Sequence, residues 1–386
     1  GGNDLEIETY IGEFNLRTDT GILTGIASYR ELTYDSSTDF DGSPITLFHF
    51  PDNHEEQEQQ TFELRYAGSN SDNIDYVVGI SYFDQEMFVG ERRDFGVADI
   101  AGVTELQHDS IGIFAELDYM ITDRTKLTFG ARWTEENKEV IFNAIGSCEK
   151  DFSSCSGPSS GLFRSGTYDD TTPKFAITHA LNDDVNIYAS YTQGFRSGSF
   201  DARARTIDSF LNSQPGPEEV TSIELGLKST LNDGRIMFNL AVFQADYDDI
   251  QKLALEDCAV DINTCPSGRI QRLINAAEAT IEGIEIETRI NITDQFSIEG
   301  SLGYTDASFD KFEGFDADGV PGYDPVTDPA AAKSLKFERV PELTYNIMAN
   351  YYYPLESGAE FDFRVSYSYT DDFTNNATMT RSIITE

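Results

Sequence analysis

The chain has 386 residues, of which 27 are Lys or Arg and 68 Asp or Glu, giving a formal net charge of −41 with 12% aromatic residues. That balance argues against nucleic acid as a partner, because phosphate contacts need clustered cations, and against attachment to anionic lipid through basic patches. No run approaches the ~18 consecutive apolar residues of a transmembrane helix, and the mean hydropathy of −0.38 suggests a soluble protein unless strands sort apolar residues onto one face.

Taken in order, the chain opens on Gly1-Gly2-Asn3-Asp4 with no charged or apolar leader and no initiator Met, so the start reads as internal to a longer chain. A short turn at Asp19-Thr20-Gly21 precedes long polar segments at 36–55 and 91–107. Ile111, Ile113, Ala115, Leu117 and Tyr119 then oppose Ser110, Gly112, Glu116 and Asp118. After a turn at Thr122-Asp123-Arg124, Leu127, Phe129, Ala131 and Trp133 oppose Lys126, Thr128, Gly130, Arg132 and Thr134. A polar segment at 145–167, a turn at Asn182-Asp183-Asp184, a polar segment at 198–217 and a turn at Asn232-Asp233-Gly234 follow. The alternation of long segment and short turn continues through 253–270, Thr293-Asp294, 311–338 and Glu356-Ser357-Gly358. Phe296, Ile298, Leu302 and Tyr304 form one late apolar face; Phe361, Phe363, Val365, Tyr367 and Tyr369 form another.

Strict period-2 alternation predicts strands with one apolar and one polar face. Roughly fourteen are legible, several of 12 or more residues against a globular norm of about 5–6. Strands that long suit a membrane wall, which about 9–11 tilted residues cross, and lipid requires that wall to close. Short turns on one side and long loops on the other match an outer-membrane barrel, whereas a soluble sandwich has no reason to sort its connections. The expectation is an all-β fold: a transmembrane antiparallel up-and-down barrel with short periplasmic turns and long extracellular loops. Tyr351-Tyr352-Tyr353 and Tyr188/Tyr191 are placed to form interfacial girdles, although β-propensity alone also accounts for them.

Cysteines occur as two local pairs, Cys148/Cys155 and Cys258/Cys265, in segments rich in Gly, Ser, Pro and Asp. Loop-stapling disulfides in an oxidising compartment are the preferred reading; zinc is the alternative, but the spacing is wide and no His lies close. Of His49, His54, His108 and His179, only the first two share a loop, and no catalytic constellation or phosphate loop appears. Asp316-Ala317-Asp318-Gly319 with Asp324 opens like a calcium loop, with Thr327 where a twelfth-position Glu belongs; a solvated acidic loop is the alternative. No cofactor is required, and Ca²⁺ in the outer loops is the one ion suggested.

Several segments resemble TonB-dependent outer-membrane receptors of the iron-complex type. They are the strand Val185 to Phe200 (VNIYASYTQGFRSGSF), the strand Pro217 to Lys228 (PEEVTSIELGLK), the run Phe243 to Gln251 (FQADYDDIQ), Asn275-Ala276-Ala277, Glu282-Gly283-Ile284-Glu285 and Arg339 to Tyr345, in the family's order. The resemblance implies a barrel of 22 strands around a plugged lumen, so residues 1–386 are expected to be an internal part of it. No plug domain is readable, and the last residues, Thr385-Glu386, are not the closing aromatic strand. It also implies the outer membrane of a Gram-negative bacterium, contact with lipid and lipopolysaccharide, a TonB-type energy-transducing partner engaged through the plug, and energised import of a ferric-siderophore-type chelate or similar large nutrient.

Substrate contacts are then expected from loop aromatics and charges, namely Phe48, His49, Phe95, Phe163 and Phe210, and from Arg196 in the lumen. Inward-facing Arg132, Arg196 and Arg364 would meet plug or substrate anions, or pair with wall acids such as Glu116 or Glu224. Two other functions stay open: a passive porin-like channel constricted by an inward loop, and a structural or adhesive surface barrel.

Overall fold

A computed structural model of the chain describes residues 2–39, 42, 45, 49–70, 73–94, 96, 99–149, 152, 155–156, 159–201, 207–257, 269–312, 337–374 and 384–385. The strands are β1 (Asn3–Arg17), β2 (Gly21–Asp39), β3 (His49–Ser69), β4 (Ile74–Asp94), β5 (Asp99–Thr122), β6 (Thr125–Cys148), β7 (Cys155–Ser156), β8 (Ser159–Asn182) and β9 (Val185–Arg196). After a short helix α1 (Ile207–Asn212) come β10 (Glu218–Leu231), β11 (Ile236–Asp257), β12 (Arg269–Asn291), β13 (Phe296–Phe312), β14 (Leu343–Pro354) and β15 (Glu360–Thr370). Two-residue strands β16 (Phe373–Thr374) and β17 (Ile384–Thr385) pair with each other.

Each long strand pairs antiparallel with its neighbours in chain order from β1 to β15, with β7 a side branch on β6. This is the up-and-down all-β wall the alternation predicts. Its lipid face is identified by what it exposes. Phe62, Leu64, Ile80, Ile113 and Phe129 lie on one face, each between 42% and 52% exposed, an arrangement only hydrocarbon stabilises. The opposite face carries Lys126, Lys174, Glu116 and Asp118, joined in ion pairs, and is the lumen.

On the lipid face the apolar band ends at tyrosines whose hydroxyls reach a carboxylate two residues further out. Tyr10 donates to Glu8 at 3.2 Å, Tyr82 to Asp84 at 3.4 Å and Tyr369 to Asp371 at 3.3 Å. The ring stays in the apolar layer and the hydroxyl in water, which marks the outer membrane boundary. At the other end Tyr351 and Tyr353 stack at 6.4 Å beside the turn that joins β14 to β15.

Two expectations need correction. The long polar segments are not all loop: β5 begins at Asp99, β6 runs to Cys148 and β11 to Asp257. β5, β6 and β8 each have 24 residues, more than twice the ~9–11 that cross the bilayer, so the wall rises well above the membrane. There no lipid imposes an apolar outer face, and polarity no longer distinguishes strand from loop. A further short connection, between Ser69 and Ile74, was not among the turns expected.

Candidate functional site

The described parts of the connection between β9 and β10, residues 197–201 and 207–217, pack against the lumen face of the wall. Its anchor is apolar. Phe210 of α1 is 1% exposed and stacks on Phe142 at 4.8 Å between ring centres, with Val140 also buried beneath it. Val140 and Phe142 alternate with outward Ile141, so the same strand supplies wall outside and seat inside.

Polar contacts hold both arms. Ser197 Oγ donates to Glu136 and accepts from Lys138, whose ammonium also donates to the Gly198 carbonyl at 3.1 Å. His108 Nε2 lies 3.0 Å from Glu136. On β11, beside β10, the Gln251 amide donates to the carbonyls of Ser197 at 2.8 Å and Gly216 at 3.1 Å, and accepts from Ser199 Oγ. Asn275 accepts from the Gly216 amide at 2.7 Å and donates to the carbonyls of Asp249, Gly216 and Pro217. Fully buried Ser213 accepts from the Leu273 amide at 3.0 Å. A loop turned into the lumen must satisfy its backbone polar groups there, and two neutral amides do most of that.

Glu136 lies past Trp133, where β6 has left the apolar band. The bond to His108 holds its carboxyl well down, burial opposes, and Ser197 and Lys138 help, leaving it at about 2. Burial pulls the Lys138 ammonium below its ordinary range while Glu136 counteracts. The carboxylate therefore stays ionised through the physiological range, and the Glu136–Lys138 pair, 3.4 Å apart, is a lasting clasp.

The expected contact residues fall in different places. Phe48 and Phe95, and with them Asp316, Asp318, Asp324, Cys258 and Cys265, lie outside the described residues. His49 opens β3 and pairs in register with Asp39 and Asp94. Phe163 sits opposite Ile141 on the outer face, 51% exposed. Phe210 is buried as the anchor of the docked segment. Arg196 closes β9 with Glu218 3.5 Å away. The lumen arginines do not meet the acids named for them: Lys174 pairs with Glu116 at 2.8 Å, and Tyr188 donates to Glu224. Arg132 instead bonds Ser81 and Thr134 and lies over Phe114, and Arg364 bonds Asn350 at 2.9 Å. Cys148 faces Cys155 in the β6–β7 register. Among the described residues, no group of three or more His, Cys, Asp or Glu gathers as a metal site. Sequence reading missed Glu136, Lys138, Gln251 and Asn275; the last two lie in the motif runs quoted above, but no local signal tied them to the segment they hold.

Among the described residues the site supplies shape and fixed charge. The family model "TonB dependent receptor-like, beta-barrel" matches residues 2–383. The ferric yersiniabactin uptake receptor FyuA from Yersinia pestis superposes with a TM-score of 0.74 at 15% identity, covering 97% of this chain and 51% of that one. The siderophore receptor PiuA from Acinetobacter baumannii gives 0.67 at 16%, covering 96% and 59%. The copper transporter OprC gives 0.62 at 14%, covering 91% and 51%. At these identities the likeness is one of fold, and the chain spans between 51% and 59% of the length of these structures.

Proposed function

The chain belongs to the TonB-dependent receptor family, whose members are transporters of the Gram-negative outer membrane, and from that premise we propose that it forms wall and vestibule of a receptor importing a ferric-siderophore-type chelate or similar large nutrient. The observation that carries the reading is a tall wall with a segment docked on its inner face. The strands rise far above the membrane and residues 197–201 and 207–217 are bonded to the lumen side, a geometry suited to retaining a bulky solute before an energised step. A TonB-type protein supplies the energy through a plug domain beyond this chain, and lipopolysaccharide surrounds the acid-rich outer surface. The facing cysteines of β6 and β7 support a disulfide in the same oxidising setting.

One observation favours a second reading. An inward segment anchored at both arms is also what would constrict a passive channel. The deciding experiment is growth of a deletion strain on single iron sources, with vitamin B12 and oligosaccharides as controls. Loss of growth on one iron source supports uptake. Unchanged growth on every source, with liposome swelling by the complete protein in small sugars, refutes uptake in favour of the channel.

A further inference from the structure

Charge in this chain is sorted across the thickness of the wall. Antiparallel partners share a face, so the register reads as lateral rows. One inward row runs Thr9, Arg30, Gln59, Gln85, His108, Lys138 across β1 to β6 without interruption. The outward row beside it runs Glu8, Glu31, Glu58, Glu86, Gln107, Glu139 over the same strands. The inward rows on either side continue the contrast. One holds Ile7, Leu32, Gln57, Met87 and Leu106; the other holds Ile11, Ser28, Thr61, Phe83 and Ser110. Across three inward rows of β1 to β5 there is thus no carboxylate, in a chain with 68 of them.

The donors at the centre of the row are unspent. Arg30, Gln59 and Gln85 are half-buried, and among the described residues none of the three makes a side-chain hydrogen bond or ion pair. A half-buried guanidinium without an anion is an incomplete arrangement, because its fork of N–H groups matches a carboxylate. Two free primary amides beside it add donors and acceptors at strand spacing, about 4.8 Å apart. Leu32, Met87 and Leu106 form a largely apolar ledge directly above, interrupted by Gln57 between Leu32 and Met87.

We propose that the inner wall centred on Arg30, Gln59 and Gln85 is a binding subsite for an anionic, oxygen-rich ligand such as a carboxylate-bearing chelate. It rests on the import reading above and names the class of solute the mouth receives. Arg30 supplies the bidentate contact, the two glutamines bond further oxygens, and the ledge takes the carbon skeleton. The outward carboxylates lie on the other side of the wall and do not compete.

The test is calorimetric titration of the complete protein in detergent with ferric citrate as the anionic probe and ferrichrome as an uncharged hydroxamate probe. Arg30→Gln is expected to weaken ferric citrate at least fivefold and Arg30→Glu to abolish it, with Arg30→Lys retaining part. Glu31→Gln, its outward neighbour on the same strand, should stay within twofold, and ferrichrome should not respond to any of these variants. Retained strand content by circular dichroism separates lost binding from lost folding. The proposal is overturned if the wild type does not bind ferric citrate, if folded Arg30→Gln binds as the wild type does, or if Glu31→Gln matches Arg30→Gln. Arg30-dependent binding in a protein that restores growth on no iron source would refute import and leave the subsite standing. Growth on an iron source unaltered by Arg30→Glu would remove the subsite and leave import standing.

Discussion

Truncating Phe210 to Ala should release the docked segment while leaving the barrel folded. A Phe side chain buries about 150–250 Å², worth roughly 4–6 kcal/mol at ~25 cal/mol per Å² as an upper bound. Phe→Ala in closed cores costs about 3–5 kcal/mol. Phe210 is 1% exposed but belongs to a six-residue helix that can partly follow the cavity, so the low end, about 3 kcal/mol, applies. The loss falls on undocking rather than on global unfolding, because the strands around Phe142 keep their pairings. About 3 kcal/mol is roughly a hundredfold in an equilibrium constant. Amide hydrogen exchange at Ser213 and Leu273, bonded respectively to Ser209 and to the segment's Ser213, should therefore accelerate about a hundredfold. Exchange within β6 should be unchanged. Equal acceleration at both places, or none at Ser213, would refute the assignment of Phe210 as the anchor.

Three more outcomes follow from the same clasp and its surroundings. Glu136 titrates lower in the folded protein than its ordinary 4.5, so its contribution is present above that value and lost as pH falls through about 2; a spin label at Leu211 should stay immobile at pH 4 and loosen only towards pH 2, and Glu136→Gln should loosen it already at pH 7. Asn275→Ala removes three donated bonds and one accepted bond to backbone, so limited proteolysis should cut the 197–217 segment at least tenfold faster, on the basis of about 1–3 kcal/mol for unsatisfied buried groups. Non-reducing peptide mapping should recover Cys148 and Cys155 joined, and separating them by Cys155→Ser should cost about 2–3 kcal/mol, as expected for so short a loop.

How much of this was legible depended on which solvent each face meets. Leu127 to Trp133 could be read as strand because lipid on one side and water on the other impose alternation. The same strand runs on to Cys148, a few residues into the stretch from 145 read as loop, because above the membrane no lipid imposes the alternation. The strand at Asp99 to Gln107 was missed for the same reason. The docked segment was harder still. Phe210 stood out as an aromatic in a polar stretch and was expected to meet substrate; its partner Phe142 lies 68 positions earlier, and no periodicity reports such a pairing. Gln251 and Asn275 carry no charge and sit in runs of ordinary composition, yet they satisfy the backbone of the segment that joins β9 to β10. Long-range polar satisfaction is a property of the assembled sheet, and single-sequence pattern has no access to it.

The net charge shows why sidedness outweighs composition. A value of −41 suggests that anions are repelled, and at long range in low salt they would be. At physiological ionic strength the screening length is about 8 Å, and successive side chains on a strand point to opposite faces of the sheet. A ligand already in the mouth therefore meets Arg30, Gln59 and Gln85 at contact, and the outward glutamates only through the wall and a screening layer. The outward acids are also confined to where they can remain ionised: Glu8, Asp84 and Asp371 begin directly above the tyrosines that end the apolar band, since a carboxylate within the hydrocarbon would cost several kcal/mol. Around Arg30 the acids stand on the exterior of the raised wall, and the interior sets the sign of the ligand. Raising salt should accordingly speed capture of an anionic probe by weakening the exterior field, while affinity changes little until the screening length falls to the contact distance at Arg30.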